Sequence, residues 1–330
     1  MIPAERRADV RILYGDPALG TRRLYRQALV SAGYTHLREF ETLDGFADLL
    51  HVAQPDLVFM DVEMPGGNAI ALTNDLRHGR LGVNPYLPII LTTWEPQQSR
   101  VRQIIDAGAD DLLVKPLSTR ALLDRVEAVG LKRKPFVVTS DYIGPDRRRS
   151  EARGGSAIQL IHVPNPMRAK LAGEPLDPHS LQHEIMVANE EINRQRLRAS
   201  AFRIAFVAEQ IVPVYESGLS PDEGTLTMLG DLISSTEDIQ RRVADTEFAH
   251  VGQISDRLLQ AARQIAEQGV TFVYGPEWHK PLELLKTLGE AVLAFFNPDR
   301  DASALAGEVA EAIDRFRARK AAQNAGEIPS

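Results

Sequence analysis

Residues 57–67 read "LVFMDVEMPGG": four apolar residues stopped by a carboxylate, Asp61. A strand buried on both faces appears in sequence as a short apolar run, and its end is where side chains return to solvent. An acid at that point is a helix cap, a loop residue or a reacting group. Outward from it, "VRILY" (10–14), "LPIILT" (87–92) and "DLLV" (111–114) are runs of the same kind, and a weaker one, "HLREF" (36–40), fits beside them. Between them lie stretches with helical spacing, such as "RQIIDAGAD" and "TRALLDRVEAV". This alternation predicts βαβ units, five strand–helix pairs and one doubly wound parallel sheet covered on both faces.

The chain has 330 residues, long enough for two domains, and 44% hydrophobic with 25% charged residues is ordinary for globular protein. A formal charge of −7 gives no support to a DNA-binding role, which would show a basic surplus at least locally. With no cysteine there is no disulfide framework and no thiolate metal site, which fits a reducing, cytoplasmic location. "MIPAERRADVRIL" at the N-terminus lacks the apolar core of a signal peptide, and no window approaches the roughly 18 apolar residues of a membrane span.

Residues 132–176 change character. "GPDRRRSEARGG" and "VPNPM" cluster Gly, Pro and Arg, which predicts a linker. An all-helical regime is expected over 177–322, with a flexible tail at 323–330. Its first helix puts Leu181, Ile185, Ile192, Leu197, Phe202 and Ala205 near one broad face. The next is expected to open with Ser220 as N-cap, Pro221 at the first helical position and Glu223 closing a capping box. Apolar residues then recur at three- and four-residue steps to Gly269, which predicts a single helix of ~45 residues, roughly 70 Å long. Two shorter helices follow, so the expectation is a four-helix bundle or long hairpin. Such a seam needs cover, and a dimer, for instance a homodimer, or a bundle through residues 180–270 is expected to supply it.

In an open parallel sheet the reactive site lies outside the carboxyl ends of the strands. At that edge this chain has Asp16 after the first strand, Asp61 after the third, Thr93 after the fourth and Lys115 followed by Pro116 after the fifth. Close carboxylates repel, and a hard cation such as Mg²⁺, which takes oxygen ligands, relieves that repulsion. A hydroxyl and an ammonium can each donate to a phosphoryl oxygen, and an aspartate is a plausible covalent acceptor.

The set "ILYGDP", "LVFMDVEMPGG", "LPIILTTWE" and "DAGADDLLVKPL", in that order, resembles the receiver domain of two-component response regulators over residues 8–131. The resemblance implies a flavodoxin-like fold and phosphorylation of Asp61 by a histidine kinase or phosphotransfer protein. It implies Mg²⁺ held by Asp16, Asp61 and the backbone carbonyl of Glu63. Thr93 and Lys115 would contact the phosphoryl group, with a cis bond before Pro116; counting back from the lysine selects Thr93 over Thr92. The signal would leave through the face made by the fourth helix, fifth strand and fifth helix of the family fold. Glu63 and Glu95, two positions beyond Asp61 and Thr93, stand where the family tunes dephosphorylation, though solvated surface is an equal reading. The implied chemistry is a phosphoacceptor with autodephosphorylation rather than a dedicated enzyme. Three positions depart from the family pattern: Gly15 stands where a second acid is usual, Trp94 where a small residue is usual, and Leu112 where an aromatic often swings inward.

Each residue also has a bland reading. Asp16 alone could cap the helix beginning at Pro17, and Lys115–Pro116 alone is an ordinary strand exit; the joint occurrence overturns these. Arg149 and Arg153 give an R-x-x-x-R spacing used by some cyclic-dinucleotide receptors, but the companion motif does not follow, and a solvated linker is the expectation. His183, His250 and His279 suggest phosphotransfer from a bundle. His250 lacks the Lys and Gly usual after such a histidine, which favours a core or interface imidazole, and Trp278, Phe295 and Phe296 read as bundle packing. The helical half is thus a partner-binding output module, an enzyme acting on another phosphoprotein through an amide such as Gln195, Gln240 or Gln253, or a DNA binder of unfamiliar form. A receiver kept only as a docking fold is the remaining alternative.

Overall fold

A computed structural model describes residues 2–81, 84–147, 159–175, 177–244, 246 and 248–324. The apolar runs become strands. In chain order the first part holds α1 (Ala4–Ala8), β1 (Arg11–Gly15), α2 (Leu19–Ser31), β2 (His36–Phe40), α3 (Phe46–Ala53), β3 (Leu57–Asp61), α4 (Ala69–Arg77), β4 (Ile89–Thr93), α5 (Gln98–Asp106), β5 (Asp111–Val114) and α6 (Thr119–Leu131). The strands form one sheet in the order β2-β1-β3-β4-β5, every neighbouring pair parallel. All residues of β3 and β4 are buried, which is why their sequences are unbroken apolar runs. One face packs Ile12, Tyr14, Tyr25, Phe59, Ile90 and Val126; the other packs Leu13, Phe40, Met60, Leu76, Leu91 and Ile104. Asn68 and Ser118 cap α4 and α6 by accepting backbone N–H bonds, so side chains meet the open donors of those helix starts.

The segment expected as a linker is ordered in its described part. β6 (Phe136–Val138) and β7 (Ile143–Pro145) pair antiparallel, and α7 (Pro166–Ala172) sends Met167 and Leu171 into the sheet-face core beside Val126. Two buried arginines explain this. Arg77 donates from Nε to the Gly108 carbonyl (2.8 Å) and from Nη2 to Asp110 (2.9 Å), and Arg133 donates from Nε to the other oxygen of Asp110 (2.6 Å). Asp110 also accepts the Ile89 N–H (2.8 Å), so the buried carboxylate is paired and hydrogen-bonded on both oxygens. The Phe136 ring lies under both guanidiniums, at 5.4 and 4.9 Å. Gly108, at φ +85°, is required here, since a Cβ would stand 2.4 Å from the Ile143 carbonyl oxygen. Arg147, expected in a solvated run, instead donates to the carbonyls of Ala109 and Asp110, both at 2.6 Å. Arg149 and Arg153 lie outside the described residues.

Contact density divides the chain into two compact units, 1–192 and 193–330, so the first extends past the expected boundary at 176. The division falls within α8 (Pro178–Glu216). The second unit adds α9 (Glu223–Val243), α10 (Ala249–Ala266), α11 (Pro276–Phe295) and α12 (Ala302–Asn324). The single long helix expected over 220–269 is therefore two, of 21 and 18 residues. Thr246 competes with the helix ladder: its hydroxyl donates to the Val243 carbonyl (3.0 Å) and accepts the Phe248 N–H (3.2 Å). Breaking there lets Leu229, Leu232, Leu258 and Ile265 join one core with Ile204, Leu285 and Leu305. Each such side chain contributes about 1.5–3 kcal/mol when fully buried, far more than the lost turn costs. From Leu197 to Ile265 the seam is thus covered within this unit, which is the bundle of the two expected alternatives. The N-cap of α9 is Asp222 rather than Ser220, accepting from the Thr225 N–H at 2.7 Å. His250 is exposed rather than in a core, edge-on to Phe295 at 5.2 Å, while Trp278 and Phe296 are buried in the bundle as expected. His183 and His279 are also exposed. Gln240 donates to Asp256 (2.6 Å) on the surface of α9 and α10.

Candidate functional site

The parallel sheet brings four sequence-predicted residues to one edge. Asp16 follows β1 directly, Asp61 ends β3, Thr93 ends β4 and Lys115 follows β5, across sequence separations of up to 99 residues. Lys115 Nζ donates to Oδ2 of both Asp16 and Asp61. All three are sequestered, with residue exposures of 6%, 1% and 1%. The peptide bond between Lys115 and Pro116 is cis, as the resemblance implied.

Each carboxylate spends its other oxygen on the backbone. Asp61 Oδ1 accepts the Glu63 N–H at 2.6 Å, and Asp16 Oδ1 accepts the Ala18 N–H at 2.9 Å. Asp16 is not the expected cap: α2 begins at Leu19 with Ala18 as N-cap and no side-chain bond to it, and Asp16 Oδ1 instead closes the turn leading into that helix while Oδ2 meets Lys115. Arg22 braces the same turn by donating to the carbonyls of Asp16 (2.7 Å) and Pro17 (3.2 Å).

The two threonines separate cleanly. Thr93 is buried, and its hydroxyl accepts the Glu95 N–H at 3.0 Å. Thr92, the register partner of Asp61 in the sheet, has its Oγ1 3.5 Å from Asp61 Oδ2, at the limit of a hydrogen bond. Side chains alternate faces along a strand, so only one of two adjacent threonines can look toward a given neighbour. Glu63 and Glu95 are both exposed, and Glu63 is ion-paired with Arg100.

Two aromatic residues shape the pocket. Trp94 is 61% exposed, and Lys115 Nζ lies 5.6 Å from its ring centroid, so the indole stands at the mouth beside the lysine. Tyr25, on α2, was missed by sequence reasoning, and its position in the helical spacing marks it only as core. Its side chain is buried against Phe59, and its phenol lies near Asp16 and Thr92 without well-formed hydrogen-bond geometry to either. Burial, then the charge of Asp16, holds that phenol protonated well above the usual tyrosine range.

The donor chemistry suits a hard divalent cation. Two carboxylate oxygens touch one ammonium nitrogen, so both are within reach of a single cation, and oxygen is the ligand Mg²⁺ prefers. Among the described residues no cluster of three or more His, Cys, Asp or Glu side chains assembles, so a cation here would have two carboxylates and otherwise carbonyls and water.

A family model described as response regulator receiver domain matches residues 16–127. The chain is 34% identical over 118 residues to the phosphate regulon transcriptional regulatory protein PhoB of Pseudomonas aeruginosa, covering 36% of this chain and 50% of that protein. It is 34% identical over 119 residues to Protein CcdB of Bacillus subtilis, covering 36% of this chain and 96% of that protein. A structure of the chemotaxis response regulator CheY4 of Vibrio cholerae aligns over 36% of this chain and 98% of its own, at 22% identity and a TM-score of 0.34. The chain thus spans half the length of the PhoB relative, and the matched stretch is its first part. Through that stretch the chain belongs to the family of response regulator receiver domains of two-component systems.

Proposed function

We propose that Asp61 accepts a phosphoryl group from the phosphohistidine of a histidine kinase or phosphotransfer protein. The single observation that carries this reading is the buried ammonium of Lys115 shared between Asp16 and Asp61 at the carboxyl edge of the sheet. In the reaction an Asp61 oxygen forms a bond to phosphorus as the phosphorus–nitrogen bond breaks, and the imidazole leaves with the electron pair of that bond. Asp61 is well placed to attack because its other oxygen is anchored by the Glu63 N–H, which fixes the carboxylate plane. Lys115 then turns from carboxylate to phosphoryl oxygen, and the Thr93 hydroxyl donates to a second one after release from Glu95. Mg²⁺, held by Asp16, Asp61 and the Glu63 carbonyl, would neutralise charge on the phosphoryl oxygens. Hydrolysis of the acyl phosphate returns the resting state, with Glu63 and Glu95 at the approach to it.

On this reading the phosphorylated receiver governs what the helical unit binds, and the unit's partner is another protein. Such chemistry belongs in the cytoplasm, where phosphohistidine is formed. Intact mass after incubation with a small acyl phosphate and Mg²⁺ tests the acceptor. One added phosphoryl mass is expected in the wild type and none in Asp61→Asn; an unmodified wild type would remove the proposal.

A further inference from the structure

Gly15 ends β1 one residue before Asp16, and its register partner is Phe40, the last residue of β2. A Cβ on Gly15 would stand 2.4 Å from both Cε2 and Cζ of Phe40 and 2.9 Å from Cδ2. Gly15 has no positive φ, so the backbone does not demand glycine there; the ring does. Phe40 is itself buried, and its ring packs against Phe46 at 5.2 Å. The space that a side chain at position 15, next to Asp16, would enter is taken by that ring.

We propose that Phe40 sets the cation affinity of the phosphoacceptor site. The inference rests on the function argued above and names what regulates that site. Two carboxylates face one ammonium, leaving a net charge of −1 at the rim. A divalent cation entering the resting protein has to displace Lys115 from both acids at once. It also has to keep several waters, because Mg²⁺ sheds them reluctantly, and a carbon wall offers those waters no partner. The resting site therefore holds its lysine and binds the cation weakly. An incoming phosphoryl group changes the balance twice: it draws the ammonium away from the carboxylates and brings its own oxygens as ligands. Phe40 thereby ties cation entry to arrival of the phosphoryl donor.

Calorimetric titration of the full chain with MgCl₂ tests this without relying on turnover. Phe40→Ala is expected to bind Mg²⁺ about threefold tighter than wild type, and Gly15→Asp/Phe40→Ala about tenfold tighter. Gly15→Asp alone, with the ring in place, should gain less than the double variant. Adding Asp16→Asn to the double variant should abolish the gain. Phe40→Ala decides the matter where the double variant does not fold by circular dichroism. Affinities for wild type and Phe40→Ala within measurement error of each other would overturn the proposal. Mass labelling of Asp61 separates the two levels. A labelled wild type with no affinity difference sinks the role of Phe40 alone, whereas no label in any variant removes the function and this inference with it.

Discussion

Lys115 is held from two sides: its ammonium is ion-paired with Asp16 and Asp61, and the Trp94 ring lies 5.6 Å away at the mouth of the pocket. A cation over an indole is stabilised by about 0.5–1 kcal/mol at exposed sites and more when desolvated. On the proposed phosphorylation of Asp61, the same ring would stand in the way of water approaching the acyl phosphate. Trp94→Ala is therefore expected to speed hydrolysis of phosphorylated protein about three- to tenfold, with folding stability reduced by about 1 kcal/mol or less. Phosphate release after removal of the donor measures the first and urea unfolding the second. An unchanged hydrolysis rate would show that the indole leaves the approach open.

Removing the lysine strands two buried carboxylates. Breaking a buried ion pair by deleting one partner typically costs about 3–5 kcal/mol, because the remaining charge is uncompensated. Lys115→Met is expected to lose stability in that range in the presence of a chelator and to recover part of it with millimolar Mg²⁺. Paired urea titrations read the difference. A variant indifferent to Mg²⁺ would argue against a cation site between these acids.

The arginine–aspartate network beneath β6 and β7 should respond sharply to a change of charge. Burial pushes Arg77 down to about 10, with Asp110 opposing that shift, so the aspartate is what keeps this guanidinium comfortable in the interior. Asp110→Asn is expected to cost about 3 kcal/mol and to raise amide exchange throughout residues 136–145. Loss of stability without faster exchange in the hairpin would mean that the arginines do not hold it.

In the helical unit, Asp238 accepts from Arg196 and Arg242, each at 2.9 Å, and is also paired with Arg241. Burial alone would raise its pKa, but Arg242 and Arg196 outweigh it and bring the carboxyl down to about 2. A depressed folded pKa means stability that is fully present above the ordinary carboxylate range, near pH 4, and lost as pH falls toward 2. Asp238→Asn should destabilise the protein at neutral pH and flatten the acid limb of its stability profile between pH 4 and 2. Thermal melts across that window check both, and an unaltered acid limb would assign the titration to another group.

The rim of the receiver was legible because each of its residues follows or ends a buried run whose period is visible locally. Asp16, Asp61, Thr93 and Lys115 need only the parallel order of the strands to meet, and helical stretches between the runs impose that order. The β6–β7 hairpin was not legible in the same way. "FVV" and "YIG" are too short to outweigh the surrounding Gly, Pro and Arg, and what orders them is Asp110, held by an arginine 33 residues before it and another 23 after. Nor did periodicity show where the helix from 223 would stop, since α9 and α10 share one apolar step pattern across the break.

By itself the sequence determined the sheet, its connections and the four residues at its carboxyl edge, because apolar period and strand ends are written in neighbouring positions. Only tertiary structure decided the ring against Gly15, the indole beside the lysine, the buried arginine pair and the fold-back of the long helix. Each of those depends on which distant side chain fills a given volume, and packing and desolvation settle that once the chain has closed on itself.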